Sequence, residues 1–375
     1  MKQSKSCNNL LPSPNVFKKE NGWVNKFTLD VEYDIAFSYN LFDPQNTTLF
    51  KFATNQKIFI VIDYTVYTLY QIQIYKYLEY YKLNAHFVLL KGEEVNKRWE
   101  AVQKILEQCC VYGLNRREPI IGIGGGVILD IVGMAATLYR RGVPFIRIPT
   151  TLLAIVDASV GVKNGVDFLG FKNRIGSFYA PHSVYIDLKF LSTVDERNII
   201  NGIGEIMKLA LVRSNHLFLM LEKYGKELVQ TKFNIPQGRD IINTSIQIML
   251  EELGPNLWEQ KLERCVDFGH TFSKIIEMIP NIDIMHGEAV NMDGFLCCMI
   301  SRNRGYISEN DFQRIGAVMK DIGLATEIPE QAKAILATAL QDAVEHRNGK
   351  QRIPLITGIG SYIIVNDIRR EELCC

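Results

Sequence analysis

Histidine is scarce in this chain, with six among 375 residues. No HExxH pair occurs, which excludes the helical metallohydrolase arrangement in which two imidazoles one turn apart share a zinc ion. CxxC knuckles are also missing. Six of the eight cysteines stand in adjacent pairs (109/110, 297/298, 374/375), a spacing unsuited to a disulfide framework, so a reduced, cytoplasmic protein is expected. The 42 lysines and arginines are balanced by 41 acids, and no overall field draws the chain to nucleic acid or to an anionic membrane. An anionic partner must therefore be held by a local pocket. The N-terminus, "MKQSKSCNNLLPSPNVFKKENGW", lacks the continuous apolar stretch of a secretory signal and reads as a flexible arm over residues 1–25. Pro119 to Leu138 is poor in charge, but Asp130, several glycines and the following Arg140 and Arg141 fit a buried strand, turn and helix better than a membrane span. No internal repeat or low-complexity tract is found.

The length suits two domains of roughly 100–200 residues each, and a hydrophobic content of 47% is enough for a large core. In the first half, β-rich runs ("KIFIVID" 57–63, "AHFVLL" 85–90, "EPIIGIG" 118–124, "FIRIPT" 145–150) alternate with segments of helical periodicity. That alternation predicts an α/β domain with a largely parallel sheet over residues 26–192. Beyond it, amphipathic segments at 202–225, 239–253, 269–280, 286–304, 309–322 and 329–346 predict a mostly α-helical domain over residues 193–375.

Several clusters could carry chemistry. Gly124, Gly125 and Gly126 link a strand to a helix, where backbone amides can approach an anionic group without Cβ obstruction. The spacing is not a clean GxGxxG, and tight packing alone also uses such turns. Asp63 ends the strand "KIFIVID", a position suited either to a ribose hydroxyl or to capping the next helix. Glu205 and Lys208 lie three apart on one helical face, as a surface ion pair or as site residues. His270 in "GHT" and His286 in "HGEAV" each precede an apolar-periodic helix. Two neutral imidazoles and a carboxylate make a catalytic zinc set, although structural roles account equally well for either histidine. On the helix expected from His270, Ser273, Lys274 and Glu277 share a face, so Lys274 either pairs with Glu277 or points toward the same pocket as the metal. The loop "DASVGVKNGVDFLGFKNRIGSFYAP" offers Asp157, Lys163, Lys172, Asn173 and Arg174 as groups that grip hydroxyls and phosphate, or as solvated charges.

Together and in this order, "GGGVILDIVGMAA", "YRRGVPFIRIPTTLLAIVDASVGVK", "KNRIG", "GEIMKLA", "DFGHTFS" and "HGEAV" resemble the sugar phosphate cyclases, the superfamily of 3-dehydroquinate synthase. The resemblance implies a dehydroquinate synthase-like fold: an N-terminal α/β dinucleotide-binding domain and a C-terminal helical metal-binding domain, with the active site in the cleft between them. It implies Glu205, His270 and His286 as ligands of a divalent metal, zinc or alternatively cobalt. It implies NAD contacts from Asp63, Glu94, Lys97, Gly124, Gly125, Gly126, Asp130, Thr150, Thr151 and Lys172. Substrate and phosphate would fall to Arg141, Asp157, Lys163, Asn173 and Lys208, with Asp267 and Lys274 as further catalytic candidates. A homodimer is also implied.

Asp267 before "FGHTF", the segment "PNLWE" (255–259), and "GVKNGVDF" where dehydroquinate synthase has a GGK-T-AIN type of segment are similar to the C7-cyclitol branch, the 2-epi-5-epi-valiolone synthases. Lys274 replaces the second histidine of the dehydroquinate synthase GHxxGH motif. That branch implies sedoheptulose 7-phosphate as substrate, cyclised with phosphate release through transient NAD oxidation, β-elimination, reduction and intramolecular aldol closure. Desmethyl-4-deoxygadusol synthase and 3-dehydroquinate synthase are the alternatives, and a metal-dependent polyol dehydrogenase is a more distant one.

Overall fold

The computed structural model describes residues 15–373 except Pro280 and Ala334. Residues 1–14 of the expected arm lie outside them, whereas its second part closes an antiparallel hairpin of β1 (Val16–Lys19) and β2 (Gly22–Asn25).

From Tyr33 onward the chain is one contact unit. Its first half follows the predicted alternation: β3 (Asp34–Phe37), β4 (Lys57–Asp63), α1 (Tyr64–Tyr80), β5 (Asn84–Leu90), α2 (Trp99–Tyr112), β6 (Ile120–Gly124), α3 (Gly126–Leu138) and β7 (Phe145–Pro149). A hairpin, β8 (Lys163–Phe168) and β9 (Phe171–Phe178), and a last strand, β10 (Ser183–Ile186), complete it. Six strands form one sheet in the order β3-β10-β7-β6-β4-β5, with every pairing parallel. Strands β6 and β7 are buried at every position, and β4 at all but its first, because helices cover both faces. The unbroken apolar runs of the sequence reflect that double burial.

The loop expected at 157–181 is partly the β8–β9 hairpin. At its tip Leu169 and Gly170 both take positive φ, 50° and 81°, the requirement of a two-residue hairpin turn of the twist-matching kind. The hairpin packs on α3, where Asn164 of β8 fills the space left by the missing side chain of Gly133.

The second half is helical: α4 (Glu196–Arg213), α5 (Asn215–Thr231), α6 (Pro236–Leu253), α7 (Ser273–Glu277), α8 (His286–Asn303), α9 (Glu309–Ile322), α10 (Glu330–Lys333) and α11 (Leu336–His346). A terminal hairpin, β11 (Ile353–Gly358) and β12 (Ser361–Val365), lies outside the sequence expectation. The predicted helix 202–225 is two helices, because Ser214 is extended (φ −148°) and its hydroxyl caps α5 by accepting from the Leu217 amide. The predicted helix 269–280 shrinks to the single turn α7. Gly269 sits at φ 72°, and the amides of Thr271, Phe272 and Ser273 turn together onto the buried Asp293 carboxylate of α8 (2.8, 2.6 and 3.0 Å).

Candidate active site

Two glycines let α4 and α8 cross closely enough for their polar residues to meet. A Cβ on Gly204 would lie 2.8 Å from the Gly287 carbonyl oxygen, and one on Gly287 would overlap the Asn201 carbonyl. The Asn201 side chain accepts from the Gly287 amide (2.6 Å) and fixes the first turn of α8 against α4. This contact brings His286, the first residue of α8, to Glu205. From the other side, the turn held by Asp293 delivers His270.

The three side chains converge. Glu205 Oε1 is 3.6 Å from His270 Nε2 and 3.3 Å from His286 Nε2, and one donor atom from each residue falls within a 4.8 Å cluster. Both Glu205 oxygens are buried without a hydrogen-bond partner, and the close approach of Lys208 Nζ to Oε2 (2.5 Å) is an ion pair. Each imidazole is oriented through its other nitrogen. His270 Nδ1 donates to the Phe268 carbonyl (3.1 Å), and His286 Nδ1 meets Glu277 Oε1 (2.9 Å), leaving both Nε2 atoms toward Glu205.

Burial, with the nearby Lys208 cation, pushes His270 down to about 3, so it is a neutral imidazole able to ligate. Burial also lowers His286, but the Glu205 and Glu277 carboxylates outweigh it and raise the ring to about 10. Burial raises the Glu205 carboxyl, and Lys208 and the two histidines overcome that and hold it well below the usual carboxylate range. An anionic carboxylate with two imidazole nitrogens aimed at one point fits a divalent ion of the zinc type, which would take the place of the His286 proton on binding.

In the α/β half, the carboxyl ends of β4, β6 and β7 lie side by side. Asp63 caps α1: its Oδ1 accepts from Thr65 (2.7 Å) and Val66 (3.2 Å), while Oδ2 faces Gly92, which has no side chain to cover it. The capping reading therefore holds for one oxygen, and the other is open to a ligand. Gly125 is the N-cap of α3, and a Cβ on Gly124 would stand 2.7 Å from Ile128, so space and not φ demands glycine there. Thr150 donates its amide to Gly124, and Thr151 Oγ1 accepts from Ala154. The carboxyl ends of parallel strands, with a glycine turn into a helix, are where open α/β sheets take up dinucleotides. Beside it, buried Lys97 pairs with Asp130 (2.7 Å) and donates to Asn173 Oδ1 (2.7 Å), joining three of the predicted residues. Lys172 reaches from β9 to Glu94 (3.6 Å) and to Glu277. Glu277 is therefore not the partner of Lys274.

A cluster of cations faces the metal cluster. Lys163 pairs with Glu259 (2.9 Å), and Arg264 with Glu259 and with Asp267 (2.6 Å to the latter). Arg347 Nη2 lies 4.0 Å from Asp267, and Lys274 lies within the fields of Arg347, Asp267, Lys163 and Arg264. Among the described residues Lys274 has no hydrogen bond or ion pair. Burial, then Arg347, lowers its pKa from the ordinary lysine value. Asp157 feels Glu205, Lys208, His286 and Lys163, and burial followed by Glu205 raises its carboxyl.

Arg141 is not part of this constellation in its own chain. It is exposed, at φ 65°, beyond the far end of α3, about 20 Å from the glycine turn at the rise of an α-helix. Three positions escaped the sequence reading. Arg264 and Arg347 carry no motif, and Arg147, in the middle of β7, is fully buried. Arg147 donates to the carbonyls of Ser159, Gly161 and Lys163 and to Asn164 Oδ1, and so shapes the loop between Asp157 and Lys163. A charge inside an otherwise apolar strand was the available signal for it.

A parallel sheet with a glycine turn at its strand ends, joined to a helical half carrying a Glu–His–His cluster, defines the dehydroquinate synthase-like class of fold. The chain belongs to the 3-dehydroquinate synthase family: the family's N-terminal model matches residues 87–201 and its C-terminal model residues 202–344. Within that family it is 40% identical to 2-epi-5-epi-valiolone synthase of Streptomyces albus, over 94% of this chain and 88% of the relative. It is 35% identical to demethyl-4-deoxygadusol synthase of Trichormus variabilis, over 92% and 86%. The solved structure of ValA, the 2-epi-5-epi-valiolone synthase of Streptomyces hygroscopicus subsp. jinggangensis with NAD+ and Zn2+ bound, superposes with a TM-score of 0.90 at 38% identity, covering 94% of this chain and 97% of that one.

Proposed function

We propose that this chain is a 2-epi-5-epi-valiolone synthase: a phosphate-eliminating carbon–oxygen lyase that cyclises sedoheptulose 7-phosphate. The observation that carries the reading is that four cations, Lys163, Arg264, Lys274 and Arg347, gather around Asp267 and Asp157, the carboxylates that also neighbour the Glu205–His270–His286 cluster and Lys208. A phosphate dianion gains charge-assisted bonds from such a cluster, led by Lys274, unpaired among the described residues, that an uncharged polyol does not, which favours a cyclase over a polyol dehydrogenase. The similarity to valiolone synthases over nearly the whole chain supports the same substrate.

Glu205, His270 and His286 would hold zinc, and Asp63 Oδ2, the Gly124–Gly126 turn, Thr150, Thr151 and the Lys97–Asp130 pair would hold NAD. When bound, the metal polarises the substrate's alcohol oxygen and the nicotinamide accepts and later returns a hydride, so oxidation, elimination, reduction and aldol closure leave no net redox change. Lys208 is fixed by Glu205 with its ammonium beside the metal cluster, placed to hold a substrate hydroxyl or carbonyl. Asp157, whose carboxyl is raised, can hold a proton at the same point. Lys163, Lys274 and Arg347 orient the phosphate, and Asn173, tied to Lys97, sets the reach of the hairpin over it. A cytoplasmic homodimer is the assembly we infer. No helix among the described residues is long and apolar enough to cross a membrane.

Enzyme supplied with NAD+, zinc and sedoheptulose 7-phosphate is expected to release inorganic phosphate with no net NADH. Steady NADH accumulation would reject the cyclase reading in favour of a dehydrogenase.

A further inference from the structure

The carboxylate of Glu277 belongs to no step above, yet it touches the metal cluster. Glu277 ends the single turn α7, and its side chain is 4% exposed. Oε1 meets His286 Nδ1 at 2.9 Å, and Oε2 is taken by the ammonium of Lys172. Lys172 arrives from β9, 105 residues earlier in the chain, and is itself 29% exposed. The chain Lys172–Glu277–His286 therefore runs from the hairpin of the α/β half to a residue of the metal cluster in the helical half.

A ligating imidazole can turn about its Cβ–Cγ bond unless its second nitrogen is held. His270 is held by a backbone carbonyl, a neutral acceptor. His286 is held by an acid that is buried and bonded on both oxygens, so the direction of its Nε2 depends on where Glu277 stands. We propose that Glu277 is a positioning residue that fixes His286 for the metal, and that Lys172 anchors Glu277 without itself being needed for metal binding. A carboxylate on the far nitrogen of a metal-bound imidazole orients the ring and strengthens it as a ligand, and its loss ordinarily costs about 10- to 100-fold in metal affinity.

This inference rests on His286 being a ligand, which His286→Ala tests on its own. Zinc affinity would be measured by chelator competition on the purified full chain without NAD or substrate. The visible spectrum of the Co2+ form would report ligand geometry, and the melting temperature of the metal-free protein would report folding. Glu277→Gln keeps an acceptor for Nδ1 but removes the charge. It is expected to weaken zinc about tenfold or more and to alter the Co2+ spectrum, with Glu277→Ala at least as strong. Lys172→Met leaves the Glu277–His286 bond in place and is expected to change zinc affinity less than tenfold. Zinc affinity and Co2+ spectrum of Glu277→Gln equal to those of the unaltered protein would overturn the proposal. So would Lys172→Met costing as much as Glu277→Ala, since the pair would then act only as a clasp between segments. If His286→Ala retains full zinc, the ligand assignment itself fails.

Discussion

Replacing Glu205 by glutamine should unbalance a deeply buried ion pair. Glu205 and Lys208 side chains are 1% and 3% exposed, and their charged atoms lie 2.5 Å apart. Glutamine keeps the shape but leaves the Lys208 ammonium without its nearest counter-charge. Removing one partner of such a pair costs about 3–5 kcal/mol, because the remaining charge is stranded in a medium that solvates it poorly. Urea denaturation in the presence of a chelator should therefore show the single variant about 3–5 kcal/mol less stable, with little change in the slope m. Adding Lys208→Met removes the stranded charge, and the double variant should recover most of that loss. Zinc supplies a second readout. Metal at 1,000 times its dissociation constant stabilises the unaltered protein by about 4 kcal/mol, and should give the Glu205→Gln protein much less at the same concentration. A double variant no more stable than the single one would refute the reasoning, since Lys208 would then not have depended on Glu205.

Three further outcomes follow from the same geometry. Lys274→Met should raise KM for the sugar phosphate by about 10- to 100-fold, the worth of a hydrogen bond to a charged group, with a smaller effect on kcat. Because burial and the neighbouring Arg347 lower the Lys274 pKa, its charge is lost as pH rises through a value below the ordinary lysine pKa. KM should therefore climb on that alkaline side in the unaltered enzyme and stay flat there in Lys274→Arg; identical KM profiles would remove the lysine from the phosphate site. Asp293→Ala would strand the amides of Thr271, Phe272 and Ser273 in a buried turn, at about 1–3 kcal/mol per unsatisfied group. Denaturation should show a loss of about 3 kcal/mol or more, with zinc affinity falling as the His270 turn loosens.

The central sheet was legible because each inner strand is buried on both faces and reads as an unbroken apolar run, as in β4 and β6. The glycines of "GIGE" and "HGE" went unread, although only the missing Cβ of Gly204 and of Gly287 allows α4 and α8 to cross where Glu205 and His286 meet. Helix periodicity misled at 269–280, where a long-range acceptor, Asp293, captures the very amides that a continuing helix would use. It misled again at Ser214, where a side-chain cap outweighs the apolar pattern. The cation cluster was only partly visible, because Lys163, Arg264, Lys274 and Arg347 come from four separate segments whose convergence is tertiary. Arg141 illustrates the converse: a suitable residue type in a recognisable motif, placed by α3 at the far side of its own domain.

The most direct test of the function is the product itself. Purified enzyme with NAD+ and zinc should convert sedoheptulose 7-phosphate to 2-epi-5-epi-valiolone, identified by NMR, with one inorganic phosphate released per molecule and NADH returning to its starting level. A desmethyl-4-deoxygadusol spectrum, or an oxidised sugar that keeps its phosphate while NADH accumulates, would contradict the account.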